Sequence, residues 1–255
     1  MNTIANWSDP AICALHRTPY CVPVNYGGPK KNGFPEVFDP GFRAALRESL
    51  AKTAAATAAD PWCLGWFIDN ELHWPDRVDL AEVAETYYRT CREELKAVAP
   101  DTLYLGSRIH MHYWPGEGQE AVVRAAAKYC DVFSFNRYRF SAADLALPAG
   151  LDVPLMVTEY HFGALDRGSL HTGLRSVGTQ AQRGAAYEFY VRSALSNPAV
   201  VGAHWFQYHD QCVTGRFDGE NYQIGFLDIC DTPYPEIIQA ARALGRDMYD
   251  YRSEN

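Results

Sequence analysis

The 255-residue sequence has no apolar run approaching the roughly 18 residues that a membrane-crossing helix needs, so no helical span is expected. It has no surplus of basic residues either: 23 Lys and Arg face 31 Asp and Glu, a formal net charge of −8. That balance argues against nucleic acid or an anionic membrane as a partner, because phosphate binding needs an excess of Lys and Arg. The opening MNTIANWSDP has neither a basic n-region nor an apolar h-region, so no signal peptide is expected there. No C-x-x-C pair occurs among the seven cysteines (13, 21, 63, 91, 130, 212 and 230). Their odd count and even spread suit small buried thiols in a reducing setting better than a disulfide framework. Gly27-Gly28 lacks the G-x-G-x-x-G spacing, and neither a P-loop nor a G-x-S-x-G elbow is present, which argues against nucleotide binding and a serine-hydrolase elbow.

What the sequence does have is aromatic residues, 13% of the chain with six Trp and sixteen Tyr. They suit a generous core or a sugar-binding cleft, where flat rings stack on pyranose faces. Short apolar runs alternate with longer Ala-rich, charge-patterned stretches in the βαβα rhythm of a parallel sheet or barrel. Strands are predicted at 2–7, 20–25, 63–70, 102–109, 132–138, 155–160 and 200–207, and helices at 42–58, 80–98, 119–128, 180–195 and 235–248. Asp39-Pro40 before the first helix and Thr232-Pro233 with Pro235 before the last read as helix starts. No repeat or linker interrupts the pattern, so one domain over 1–255 is expected. The fold class is α/β of the (β/α)8 TIM-barrel type. Seven strands are one short of closure, which predicts that the first strand and the region before it are missing, or that another copy of the chain covers the open edge as a homo-oligomer.

Two acidic residues stand at strand ends, where parallel barrels carry their chemistry. GWFIDNELHW places Asn70 and Glu71 after an apolar strand, and PLMVTEYHFG places Glu159 likewise. One such Glu alone suits a strand cap or an Arg partner; two suit glycosidic cleavage, which needs a proton donor for the leaving oxygen and a carboxylate to meet the developing cation. A separation of about 5–5.5 Å would let the second act as a nucleophile with retention of configuration, one carboxyl being kept protonated and the other ionised.

An Asn-Glu pair ending one strand and a lone Glu ending a later one resembles the pattern of clan A retaining glycoside hydrolases. NTIANWSDP, WFIDNELHW, LYLGSRI, KYCDVFSFNRY, TEYHFGALDRGSLHTGL and HWFQYHDQCVTGRFDGENYQIGFLDICDTPYPE resemble, more specifically, glycoside hydrolase family 50, the β-agarases. The resemblance runs over most of the chain. It implies Glu71 as acid/base, Glu159 as nucleophile, Asn70 on the sugar 2-hydroxyl, Tyr138 orienting the nucleophile and Trp205 flooring a sugar subsite. Asn6, Trp7, Arg108 and Asn136, from the same stretches, are further substrate-binding candidates, with His161 and Asp210 beside the later strand ends. The implied substrate is agarose or a related β-linked galactan, with no cofactor and no metal. Family members carry a long N-terminal region and a first strand that this sequence lacks, and the 72–78 connection looks shortened. Signals on location oppose each other: agarases are typically exported, whereas the cysteines suit a reduced compartment.

Other arrangements compete. His110 and His112 form an H-x-H pair that could bind zinc in a metal-dependent hydrolase, helped by other strand-end His and by Glu71 and Glu159; as cleft residues they would instead bond sugar hydroxyls. If Trp205 faces the cleft, alternation turns His204 toward the helices. The loops 163–168 and 214–221, rich in Gly, Asp and Arg, suit either substrate selection or plain turn chemistry. A carbohydrate-binding remnant without catalysis is the principal alternative to a glycosidase.

Overall fold

The computed structural model describes residues 1–76, 78–110 and 117–254, with the backbone alone at 117–119. Arg77, in the 72–78 connection, and His112 of the H-x-H pair lie outside the described residues. The chain divides into two compact units: 2–136 with 146–156, and 137–145 with 157–255 and Met1.

The first unit opens with a helical turn, α1 (Pro10–Cys13), capped by the Asp9 carboxylate. The strand predicted at 2–7 is only an isolated parallel bridge, Ile4 to Tyr20. Then come β1 (Tyr20–Val24), a hairpin of β2 (Lys30–Lys31) and β3 (Phe34–Pro35), α2 (Phe42–Thr57), β4 (Cys63–Ile68), α3 (Leu80–Val98), β5 (Leu103–Tyr104), β6 (Ile109–His110), α4 (Glu117–Tyr129) and β7 (Phe133–Asn136). The hairpin was not foreseen, although its Asn32-Gly33 turn, with φ of +51° and +80°, is the sequence pair such turns favour. β4 lies between β1 and β5, parallel to both. Its Trp66, Phe67 and Ile68 are fully buried, as in a parallel strand covered on both faces. The single strand predicted at 102–109 is broken in two: Gly106 and Arg108 take φ of +83° and +53°, so β5 ends beside β4 while β6 pairs with β7. Cys21, Phe67, Leu105, Val132 and Met156 meet in one apolar cluster, inward-facing residues from successive parallel segments. Outside it, α3 packs on α2 and α4, and buried Glu94 of α3 accepts from Arg43 at 2.6 Å and Arg47 at 2.5 Å on α2.

The chain passes into the second unit within β8 (Leu155–Glu159), which is followed by α5 (Gln180–Leu195), β9 (Val200–Ala203) and α6 (Pro235–Glu254), with α5 packed on α6. β9 runs on alongside β8: His204 N–H donates to Val157 O at 2.8 Å and Phe206 N–H to Tyr160 O at 3.0 Å. Much of the aromatic content is core. Tyr160 stacks on Tyr190 with ring centroids 4.0 Å apart, and Phe162, Tyr187, Trp205 and Phe226 close around them. Arg183 of α5 is completely buried here. Its Nε donates to Phe162 O at 2.7 Å, Nη1 to Gln180 Oε1 at 3.1 Å and Nη2 to Gly225 O.

All seven cysteines are unpaired thiols. Cys21, Cys91 and Cys130 are buried as expected, and burial pushes their thiols up, whereas Cys212 and Cys230 are exposed. No helix among the described residues is long and apolar enough to cross a membrane.

Candidate functional site

In the first unit the chemistry gathers past the end of β4. Asp69 and Glu71 adopt φ of +59° and +45°, a left-handed backbone that non-glycine residues adopt at a cost of about 1 kcal/mol or more. Surrounding bonds hold it there. The buried Asp69 carboxylate accepts from Tyr26 N–H at 2.9 Å and Tyr87 O–H at 2.8 Å, and Lys30 Nζ lies 3.5 Å away. Glu71 N–H donates to Ser107 O at 3.3 Å. This double reversal turns Asn70 and Glu71 out of the sheet. Asn136 Nδ2, at the end of β7, donates to Glu71 Oε1 at 2.8 Å, and His110 Nε2 lies 3.7 Å from the same oxygen. Asn70 Oδ1 accepts from Arg108 Nη1 at 2.9 Å and Asn136 Nδ2 at 3.5 Å, which fixes the flip of the Asn70 amide and leaves its NH2 as the donor for a ligand.

The Arg108 guanidinium also lies 4.9 Å from the ring centre of half-exposed Trp7. Asn6 is buried, and its amide makes no hydrogen bond among the described residues. A pocket of about 350 Å³ adjoins Glu71, lined also by Asn25, Lys30, Asp69, Asn70 and His73. The structure thus brings Asn70, Glu71, Arg108 and Asn136 together, with Trp7 on Arg108. Sequence reasoning passed over Asp69 and Lys30; the acidic D-N-E run and the hairpin lysines were the available signals.

In the second unit Glu159 ends β8 almost buried, and Tyr138 O–H donates to its Oε2. Arg137 N–H donates to the Glu159 carbonyl at 2.9 Å, which sets Tyr138 alongside. The Arg216 guanidinium, on the 214–221 loop, interacts electrostatically with Glu159.

Three expected substrate contacts differ here. His161 is buried with both ring nitrogens engaged: Nε2 accepts from Leu174 N–H at 2.8 Å, so Nδ1–H donates to Phe206 O at 3.0 Å. Its ring packs 4.7 Å from Tyr138, and Gly173, at φ +71°, lets the loop approach so closely that a Cβ would sit 2.6 Å from Nε2. His161 therefore props the Tyr138–Glu159 pair from behind. Trp205 packs against α5: its Nε1–H donates to the carbonyls of Gln207 at 3.0 Å and Ile224 at 2.9 Å, and Tyr160 and Tyr187 meet its ring. Phe206 instead lies beside His161 and under Arg216. Asp210 is buried and accepts from Gly225 N–H and Tyr234 O–H, both at 2.7 Å; burial raises its pKa.

Burial lowers the His161 pKa to about 3. The folded chain holds the ring neutral while the unfolded chain protonates it below about 6.5. Its contribution to stability is full above pH 6.5 and is lost as pH falls toward 3, by at most about 1.4 kcal/mol per unit. Urea midpoints at pH 7 and pH 4.5 should drop further for the native chain than for His161→Asn; equal drops would refute this.

Among the described residues, no group of three or more His, Cys, Asp or Glu could hold a metal ion.

No protein-family model matches the chain. It is 42% identical to beta-agarase A of Vibrio sp. (strain JT0107) over 176 residues, 66% of this chain and 17% of that protein. It is 29% identical to beta-agarase B of the same organism over an alignment of 338 residues, 98% of this chain and 35% of the relative. A crystal structure of an agarase, AgWH50C, superposes with a TM-score of 0.90 and 32% identity over 99% of this chain and 47% of its own. An exo-beta-agarase gives 0.89 and 30% over 99% and 45%. The chain thus spans less than half the length of these relatives.

Proposed function

Because the chain belongs to the β-agarase-like glycoside hydrolase family 50, we propose that it hydrolyses the β-galactosidic linkages of agarose or a related galactan on a (β/α)8-type framework. The observation that carries this reading is a pair of strand ends, each presenting a carboxylate already held by neutral donors: Asn136 on Glu71 and Tyr138 on Glu159. Glu159 attacks the anomeric carbon while Glu71 protonates the departing oxygen. Glu71 then takes a proton from water, which releases the sugar with its configuration retained. Tyr138 occupies one oxygen of Glu159 and so aims the other. Asn70, its amide fixed by Arg108 and Asn136, donates to the sugar 2-hydroxyl. The pocket beside Glu71 is lined chiefly by polar groups, as sugar hydroxyls require.

Agarose incubated with the protein should release reducing ends, and proton NMR of the fresh product should show the β anomer before mutarotation. First appearance of the α anomer would overturn the double displacement, and glycan binding without hydrolysis between pH 4 and 8 would favour a binding remnant.

A further inference from the structure

The cavity of about 350 Å³ that adjoins Glu71 is bordered on one side by the β2–β3 hairpin and on the other by the segment that follows Glu71. Both borders are fastened to α3. Phe34 of the hairpin is buried, its ring centre 4.9 Å from that of Trp74 and 6.2 Å from that of Tyr87, and Trp74 stacks on Tyr88 at 5.6 Å. Lys30 Nζ, 3.5 Å from the buried Asp69 carboxylate, ties the hairpin down again, yet its side chain stays 35% exposed. An ammonium has three N–H donors, so one carboxylate oxygen leaves at least two for a ligand. Asn25 and His73 are exposed lining residues whose side chains form no hydrogen bond among the described residues. Three polar side chains with bonding capacity to spare thus rim a preformed cavity. Its volume is at the low end of the roughly 300–1,000 Å³ of small-ligand pockets, room for one sugar ring. Because Asp69 matches the Lys30 ammonium, the cavity offers hydrogen bonds without a spare positive charge. That suits a neutral sugar and not a sulfated one.

We propose that this cavity is the subsite for the leaving sugar, and that Lys30, with Asn25 and His73, selects a neutral sugar there. The inference rests on the reading of Glu71 as the acid. An acid must touch the oxygen it protonates, and that oxygen belongs to the leaving sugar. The leaving sugar therefore lies against Glu71, and the adjoining cavity gives it room. Hydrogen bonds from Lys30, Asn25 and His73 to its hydroxyls hold the departing oxygen at the acid, so binding energy gained beyond the broken bond lowers the barrier at that bond.

The test compares kcat/KM on two substrates: an agarose tetrasaccharide, whose leaving part is a sugar, and 4-nitrophenyl β-galactoside, whose leaving ring carries no hydroxyl. Lys30→Met should lose about tenfold more on the tetrasaccharide than on the aryl galactoside, the worth of a hydrogen bond from a charged donor. Lys30→Arg, which keeps a charged donor, should recover part of that difference. Asn25→Ala and His73→Ala trim exposed side chains and should show the same selective loss at about threefold each. They carry the test if Lys30→Met does not fold. Equal losses on the two substrates across these variants overturn the proposal, as does a tetrasaccharide sulfated on its leaving side that is cleaved as fast as the neutral one. Undiminished cleavage of the tetrasaccharide by Glu71→Gln would instead overturn the assignment of the acid itself.

Discussion

Glu159→Gln is expected to lower turnover of an aryl β-galactoside by about 10⁴-fold or more while leaving the thermal midpoint within about 2 °C of the native value. Glutamine has the same shape, and its carbonyl still accepts from Tyr138, so the packing around the strand end survives. What it loses is the anionic lone pair that forms the bond to the anomeric carbon. Glu71→Gln should be equally slow on agarose but far less impaired on a dinitrophenyl galactoside, whose leaving group needs no proton. There the second step, which needs a base, becomes limiting, and added azide should restore turnover by replacing water. Equal losses on both substrates would contradict the acid/base role of Glu71, and full activity in the Glu159 variant would contradict covalent catalysis.

Arg183→Met should produce the largest stability loss of any single change considered, about 3–5 kcal/mol, because it strips a buried cation from partners that cannot find replacements. The carbonyls of Phe162 and Gly225 and the amide of Gln180 would lose their donor inside the core. Asp210, which already resists ionisation because it is buried, would lose its nearby counter-charge. Burial, only partly offset by the charge of Asp210, brings the Arg183 pKa down to about 10, so the group stays charged at neutral pH. For a chain of this length the loss corresponds to a fall of about 10 °C in thermal midpoint. Arg183→Lys should recover only part of it, since an ammonium cannot reach three acceptors in one plane. A Met variant melting within about 2 °C of the native chain would show that the network contributes little.

Helix positions were legible because periodicity and caps fix them locally: 80–98 and 180–195 were read to the residue, and 42–58 to within one. Strands were legible where an apolar run ends cleanly, as at β4 and β8. The 102–109 run failed because the backbone reversals at Gly106 and Arg108 leave no mark in hydrophobicity. The places of Glu71 just past β4 and of Glu159 at the end of β8 were legible from the apolar runs before them, while the contact of Tyr138 with Glu159 was expected only from the family likeness. His161 and Trp205 were misplaced for different reasons. His161 lies beyond the last paired residue of β8, where alternation no longer fixes facing. Trp205 lies between His204 and Phe206, both still bonded to β8, and alternation holds there with the opposite phase. His161 folds back under Tyr138, and Trp205 turns to the helix, leaving Phe206 beside the carboxylate-bearing strand end. Arg216 was visible only as part of a polar loop, because nothing in a single sequence says that its guanidinium packs on Phe206 while pairing with Asp218 and Glu220.

The left-handed backbone at Asp69, Glu71 and Arg108 gathers three energetically uphill conformations within one short arc of the first unit. The Asp69 carboxylate, the Ser107 carbonyl and the Ser134 hydroxyl hold this backbone, and the Asn136 amide holds the Glu71 side chain that it presents. Robustness and reactivity therefore draw on one set of bonds at this corner. Anyone hardening the protein against heat would find the most tempting glycine replacements sitting where they would also let the acid swing loose, and would do better on the outer faces of the helices.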